Sequence, residues 1–249
     1  MTSRLTSSGT LVLTGAAMSG ALALAAGPAS AATHPAAPTS AAADGYVGPC
    51  SGYALCIHNK RSATRLTIKG KKYLGKRNGI SIRNSRNVTI RGNTFRGFAA
   101  NNTYAGVHVR GKSTGIIIEN NTFQNIKNTS PRDNGWAHGV YIVDSDGTKV
   151  IGNNKFIGIE GDPVRVRDGS DRTIVSGNTF NGAGARALFS DWHSGREACG
   201  KNNVFKNNKY KGVPGRSGAA GYKRGSTVSL VYTFFCPPSI KNGGGNRKF

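Results

Sequence analysis

The chain has 249 residues, 37% of them hydrophobic, and sets 34 lysines and arginines against 11 aspartates and glutamates, a formal charge of +23. Such a balance leaves few carboxylates for acid-rich metal or hydrolytic sites, and its field attracts polyanions. The length suffices for one ordinary domain with a buried core, so the fold need not depend on disulfides.

The first 31 residues read as a secretory signal peptide: Arg4, an apolar Leu/Ala run, and an A-x-A ending at Ala31. Residues 32–48 form an Ala/Pro-rich, flexible lead-in. No later segment is long and apolar enough to span a bilayer. Residues 49–249 are expected to form a single domain, with 209–249 as a C-terminal capping segment. Cys50, Cys56, Cys199 and Cys236 are an even set in an exported chain. Proximity favours Cys50–Cys56, which leaves Cys199–Cys236; the absence of a Cys-x-x-Cys argues against zinc. For an exported cationic protein the natural partner is an anionic polysaccharide, not nucleic acid or membrane. Only two aromatics interleave with the basic residues, fewer than sequence-tolerant nucleic-acid binding uses. A monomer is expected.

From Asn78 onward the sequence repeats itself: "NGISIRNSRNVTIRGNTFRGF", "AGVHVRGKSTGIIIENNTFQNI" from Ala105, "HGVYIVDSDGTKVIGNNKFIGI" from His138, and "DPVRVRDGSDRTIVSGNTFNGA" from Asp162. A weaker copy starts at Arg186 and a degenerate one at Ala54. Each unit holds an alternating strand, a polar turn, a β-branched strand and an Asn-x-aromatic step. The aromatic markers Phe95, Phe123, Phe156, Phe180 and Phe205 are 28, 33, 24 and 25 residues apart. That period suits one turn of a parallel β-solenoid. Asn93, Asn121, Asn154, Asn178 and Asn203 would form one stacked column at a corner, where Asn tolerates left-handed backbone.

The strings "GISI…NVTIRGNTF" and their copies, across residues 54–208, resemble the secreted right-handed parallel β-helix proteins typified by pectate lyases. The resemblance implies an all-β fold: a single-stranded right-handed parallel β-helix (β-solenoid) of about five to seven coils with N- and C-terminal caps. "HGVYIVDSDG", "GDPVRVRDGS" and "ARALFSDWHSG" are similar to small polysaccharide lyases of the alginate-lyase type, which implies metal-independent β-elimination.

Stacked coils lie about 4.8 Å apart, so equal positions become neighbours. Ile80/Ile82, Val107/Val109, Val140/Ile142, Val164/Val166 and Leu188/Ser190 are expected to point inward. The central outward column is then Ser81, His108, Tyr141, Arg165 and Phe189. The next is Arg83, Arg110, Val143, Arg167 and Asp191. Gly79, Gly106 and Gly139, followed by Pro163 and Ala187, would leave an open floor beside them. The insertion Lys127–Ala137 brings Arg132, Asp133 and Trp136 toward this stripe.

β-Elimination on a uronate polymer requires a neutralised carboxylate, a base, and a proton for the leaving oxygen. Arg165 suits the first task, since a guanidinium fork matches a carboxylate and stays charged. His108 is the expected base and Tyr141 the expected acid, with the roles exchangeable or both carried by Tyr141. His138 and His193 are spare candidates. Arg83, Arg110 and Arg167 would bind flanking sugars, and Trp136 would stack on a sugar ring or anchor its loop. No cofactor is expected; calcium at Asp144 and Asp168, with Asp146 and Asp171 nearby, is the exception, against which stands the ordinary turn-making role of Asp. A glycoside hydrolase on the same fold is poorly supplied: Asp162 and Asp191 would lie roughly 16 Å apart, and Asp144 and Asp168 sit at a turn. A C5-epimerase shares the first step. A non-catalytic polysaccharide-binding protein fits the charge equally well.

Overall fold

The computed structural model describes residues 45–130, 135–211 and 228–249. The signal peptide, most of the lead-in, and Arg132 and Asp133 lie outside the described residues. No helix occurs among the described residues, which form twenty-two short strands in three sheets.

The first sheet holds β1 (Tyr46–Cys50), β2 (Tyr53–His58), β5 (Ile80–Arg83), β8 (Ala105–Arg110), β11 (His138–Val143), β14 (Val164–Arg167), β17 (Ala187–Trp192) and β20 (Ser229–Phe234), in that spatial order. The second stacks β3 (Leu66–Lys69), β6 (Val88–Arg91), β9 (Ile117–Glu119), β12 (Lys149–Ile151), β15 (Ile174–Ser176), β18 (Asn203–Lys206) and β21 (Ile240–Asn242). The third stacks β4 (Lys72–Leu74), β7 (Thr94–Ala100), β10 (Thr122–Asn128), β13 (Lys155–Ile159), β16 (Thr179–Asn181), β19 (Lys209–Tyr210) and β22 (Arg247–Lys248). Every pairing is parallel except β1 with β2. Each three successive strands from β2 onward are one coil, giving seven. The segment read as a cap supplies β19, β20, β21 and β22 and so extends all three sheets.

Alternation explains the core. Ile80, Ile82, Val107, Val109, Val140, Ile142, Val164 and Val166 are fully buried. Behind them runs a stack of rings: Tyr73, Phe95, Phe123, Phe156 and Phe180, with successive centroids 4.9–5.0 Å apart and planes within 13°. Offset stacking at the coil spacing adds specific attraction to the area buried. At one corner each Asn amide donates to the next Asn Oδ1, from Asn93 through Asn121, Asn154 and Asn178 to Asn208 and Asn246. At another, Ser85, Ser113, Ser145 and Ser170 form a hydroxyl ladder, each accepting from the backbone N–H of the serine before it.

Three expectations need correction. The fifth marker pair is Asn208 and Tyr210, not Asn203 and Phe205: Asn203-Val204-Phe205 spells the same step five residues early, and β18 pairs with β15, facing Phe205 with Val175. In β17 the register is one residue later than the repeats suggest, because the connection before it is longer; Val164 pairs with Phe189 and Arg165 with Ser190. Phe189 and Asp191 therefore point inward and are fully buried, while Ser190 and Trp192 take the two outward columns. Finally, the glycines are not an open floor. A Cβ at Gly106 or Gly139 would lie 2.6 Å from the ring of Phe123 or Phe156, so these positions admit the aromatic stack beneath them.

Cys50–Cys56 and Cys199–Cys236 are the bonded pairs, the first across the N-terminal hairpin and the second beside the last coil.

Candidate active site

Parallel pairing of β5, β8, β11 and β14 sets Ser81, His108, Tyr141 and Arg165 side by side, with Arg83, Arg110, Val143 and Arg167 in the next outward column. Tyr141 is half-buried at the centre. One face of its ring stacks on His108, centroids 5.0 Å apart and planes at 18°. His138 packs against it at 5.0 Å and 46°. Arg167 Nη1 donates to the Tyr141 hydroxyl at 3.3 Å, and Arg167 Nε donates to Glu197 at 2.6 Å. Burial alone would lower the Arg167 pKa, but the bonds to Glu197 and Tyr141 outweigh it and hold the guanidinium firmly charged.

Both histidines beside Tyr141 are neutral near pH 7. Burial and the nearby Arg110 charge push His108 down to about 3. Its Nδ1 shares a 2.6 Å hydrogen bond with Tyr53 Oη, a phenol whose pKa burial raises. The His108 Nε2 is buried and meets no partner. His138 is pushed well down by burial and by the Arg165 charge. Its Nδ1–H donates to the Asp162 carbonyl at 2.8 Å, which leaves Nε2 with the lone pair.

Arg165 is committed elsewhere. It is 8% exposed and donates to Asp162 Oδ2 at 2.8 Å and to Ser190 Oγ at 3.3 Å. Asp162 is fully buried; burial works to raise its pKa, yet Arg165, the Ala187 N–H and Ser190 hold the carboxyl well below the usual range. Its Oδ1 also accepts from the N–H groups of Arg186 and Ala187. Arg83 is exposed and Arg110 half-buried, with the Arg110 Nε lacking a partner.

A family model for the right-handed β-helix region matches residues 53–228. The chain belongs to the right-handed β-helix family. Among solved structures, an alginate lyase from Paenibacillus sp. str. FPU-7 matches at a TM-score of 0.53 and 20% identity, covering 83% of this chain and 75% of its own. At that identity the likeness shows the fold. No curated protein matches the sequence.

The remaining candidates of this β-helix protein are placed as follows. Trp136 is 49% exposed, two residues before His138, at the edge of the same sheet. Asp144 and Asp168 have φ of 48° and 49°, at the corner where other coils place Asn59, Asn84 or Gly111. Asp168 accepts from the Ala198 N–H, Asp146 from Asp171 N–H and Arg172, and Asp171 from Lys201 N–H. These φ values and contacts place the acids in turns. Among the described residues the one compact group of three metal-ligating residues is Cys50, Cys56 and His58, whose cysteines are bonded to each other. Asp191, buried inward, accepts from the Gly200 N–H, and burial raises its pKa.

Sequence reasoning missed Tyr53. It lies in the degenerate first coil, at the position equivalent to Asn78, Ala105 and His138. A polar aromatic one step before the glycine column, in line with His138, was the available signal.

Proposed function

We propose that this right-handed β-helix protein is an exported lyase that cleaves an acidic, uronate-containing polysaccharide such as alginate by β-elimination. The observation that carries the reading is the placement of Tyr141: its hydroxyl is 3.3 Å from Arg167 Nη1, and its ring lies between two neutral histidines on an open cationic row. Two disulfides and the matching fold support an exported setting.

In this reading Arg110, with Arg83 beside it, neutralises the uronate carboxylate, the role expected of Arg165 from the repeat. Arg165 instead anchors the strand through Asp162. His108 is buried and its Nδ1 is tied to Tyr53, which moves the acid–base work to Tyr141. The phenolate takes the proton α to the carboxylate, the C4–O bond breaks as the C4=C5 bond forms, and the phenol returns the proton to the departing oxygen. Arg167 stabilises the phenolate before the abstraction and again as it re-forms when the proton passes to the departing oxygen. His108 and His138 hold the ring in place without adding competing charge.

Alginate, polygalacturonate, hyaluronan and heparin-like chains should be tested with and without chelator for the absorbance of unsaturated uronate. We expect cleavage of at least one, unaffected by chelator, and a loss of about 10²–10⁴-fold in Tyr141→Phe. An active enzyme that tolerates this change removes Tyr141 from the chemistry. New reducing ends without the absorbance would replace the lyase by a hydrolase. A second reading, a non-catalytic polysaccharide-binding protein, is favoured by the commitment of Arg165 to Asp162 and Ser190; tight binding with neither signal would establish it.

A further inference from the structure

The outward columns change character along the solenoid. The column that carries Arg83, Arg110 and Arg167 continues into Trp192 and Phe234, paired across β17 and β20. Their rings stack with centroids 4.2 Å apart, and Arg165 lies 4.7 Å from the Trp192 centroid. One step further sits the left-handed corner, occupied in earlier coils by Asn59, Asn84, Gly111, Asp144 and Asp168, all at positive φ. In the last coil that corner is Phe235, with φ of 57°.

An aromatic residue is a poor occupant of such a corner. Asn, Asp and Gly adopt left-handed backbone at little cost, whereas a bulky side chain does not. Phe235 is also the one apolar residue among the non-glycine residues of positive φ in the described chain. Burial does not offset the strain, since the side chain is 79% exposed, touching Phe234 at a centroid distance of 4.1 Å. Residues held in sparsely populated backbone regions cluster where a side chain is presented to a ligand.

We propose that Phe235, with Phe234 and Trp192 beneath it, is a stacking platform for the apolar face of a pyranose ring at the C-terminal end of the stripe. The chain would then lie along the first sheet, its carboxylates on Arg83 and Arg110 and one ring on the aromatic end. This inference rests on the proposed polysaccharide substrate but not on its cleavage. A pyranose face suits the platform because it is apolar while the ring edges stay hydrated.

The test is direct binding of short oligoalginate, measured by calorimetry on the disulfide-bonded protein and on Phe235→Gly and Phe235→Tyr. Glycine relieves the backbone strain, so its thermal midpoint should be unchanged or higher, while affinity falls about three- to tenfold. Tyrosine keeps the ring and should keep the affinity. A glycine variant that binds as tightly as the wild type overturns the platform, and so does one whose midpoint falls while its affinity stays. Ring-dependent binding by a protein that cleaves nothing sinks the lyase reading alone. Cleavage with KM untouched in Phe235→Gly sinks the platform alone. Absence of binding to any uronate oligomer sinks both.

Discussion

Lowering the pH should destabilise the protein through His108 in a way that one substitution can isolate. In the unfolded chain a histidine titrates near 6.5, whereas folded His108 stays neutral down to about 3. Between those values the unfolded state binds a proton that the folded state refuses. The stability tied to neutral His108 is therefore fully present above pH 6.5 and lost progressively as the pH falls toward 3. At pH 5 the loss is about 1.5 pH units times 1.36 kcal/mol, or about 2 kcal/mol. For a urea m-value of about 2 kcal/mol/M the midpoint would drop by about 1 M. His138 and His58, also pushed down chiefly by burial, and the buried carboxylates add their own pH dependence. His108→Gln removes only the first contribution, and glutamine can still accept from Tyr53. Urea unfolding of both proteins at pH 7 and pH 5 gives the comparison. The wild type should lose about 2 kcal/mol more than the variant between the two values. Equal losses would refute the picture of a buried neutral imidazole behind Tyr141.

Two further outcomes concern the scaffold. Asn154 accepts from the N–H and amide of Asn121 and donates to Ile118 O, Ile151 O and Asn178 Oδ1; Asn154→Ala strands several of these in the core and should cost about 3 kcal/mol in chemical denaturation. A cost near zero would mean that water replaces the amide. Gly106→Ala would press a methyl against the Phe123 ring and should cost about 1–3 kcal/mol, read as a lower thermal midpoint.

The repeat made the solenoid, its inward rungs and the neighbours of Tyr141 legible, because a period and an alternation translate directly into columns. Its limits are equally physical. Asn203-Val204-Phe205 and Asn208-Lys209-Tyr210 carry the same pattern, and only the strand pairing shows which one joins the ladder. One extra residue before β17 reversed the faces of Phe189 and Ser190, since a single-residue slip exchanges the two sides of a strand. The glycine column read as space, while it is occupied from below by rings contributed from the third sheet. What each polar group is committed to was also beyond reach: Arg165 looked free on the stripe, but its partner Asp162 sits in a different column and its other partner Ser190 on a mis-registered strand. Tyr53 escaped notice because its coil has lost most of the repeat.

The Asn ladder also governs where this architecture can change. In the inner coils only two or three residues join the second sheet to the third, because each coil must return its Asn to the same place. The connections on either side of the first sheet vary, with four residues between β7 and β8, nine between β10 and β11 and ten between β17 and β18. Insertions are thus filtered by position: forbidden at the far corner and accepted along both banks of the row that carries Tyr141. A lineage built on this chassis can reshape the loops that flank this row, while the rise that aligns the side chains along it stays constant.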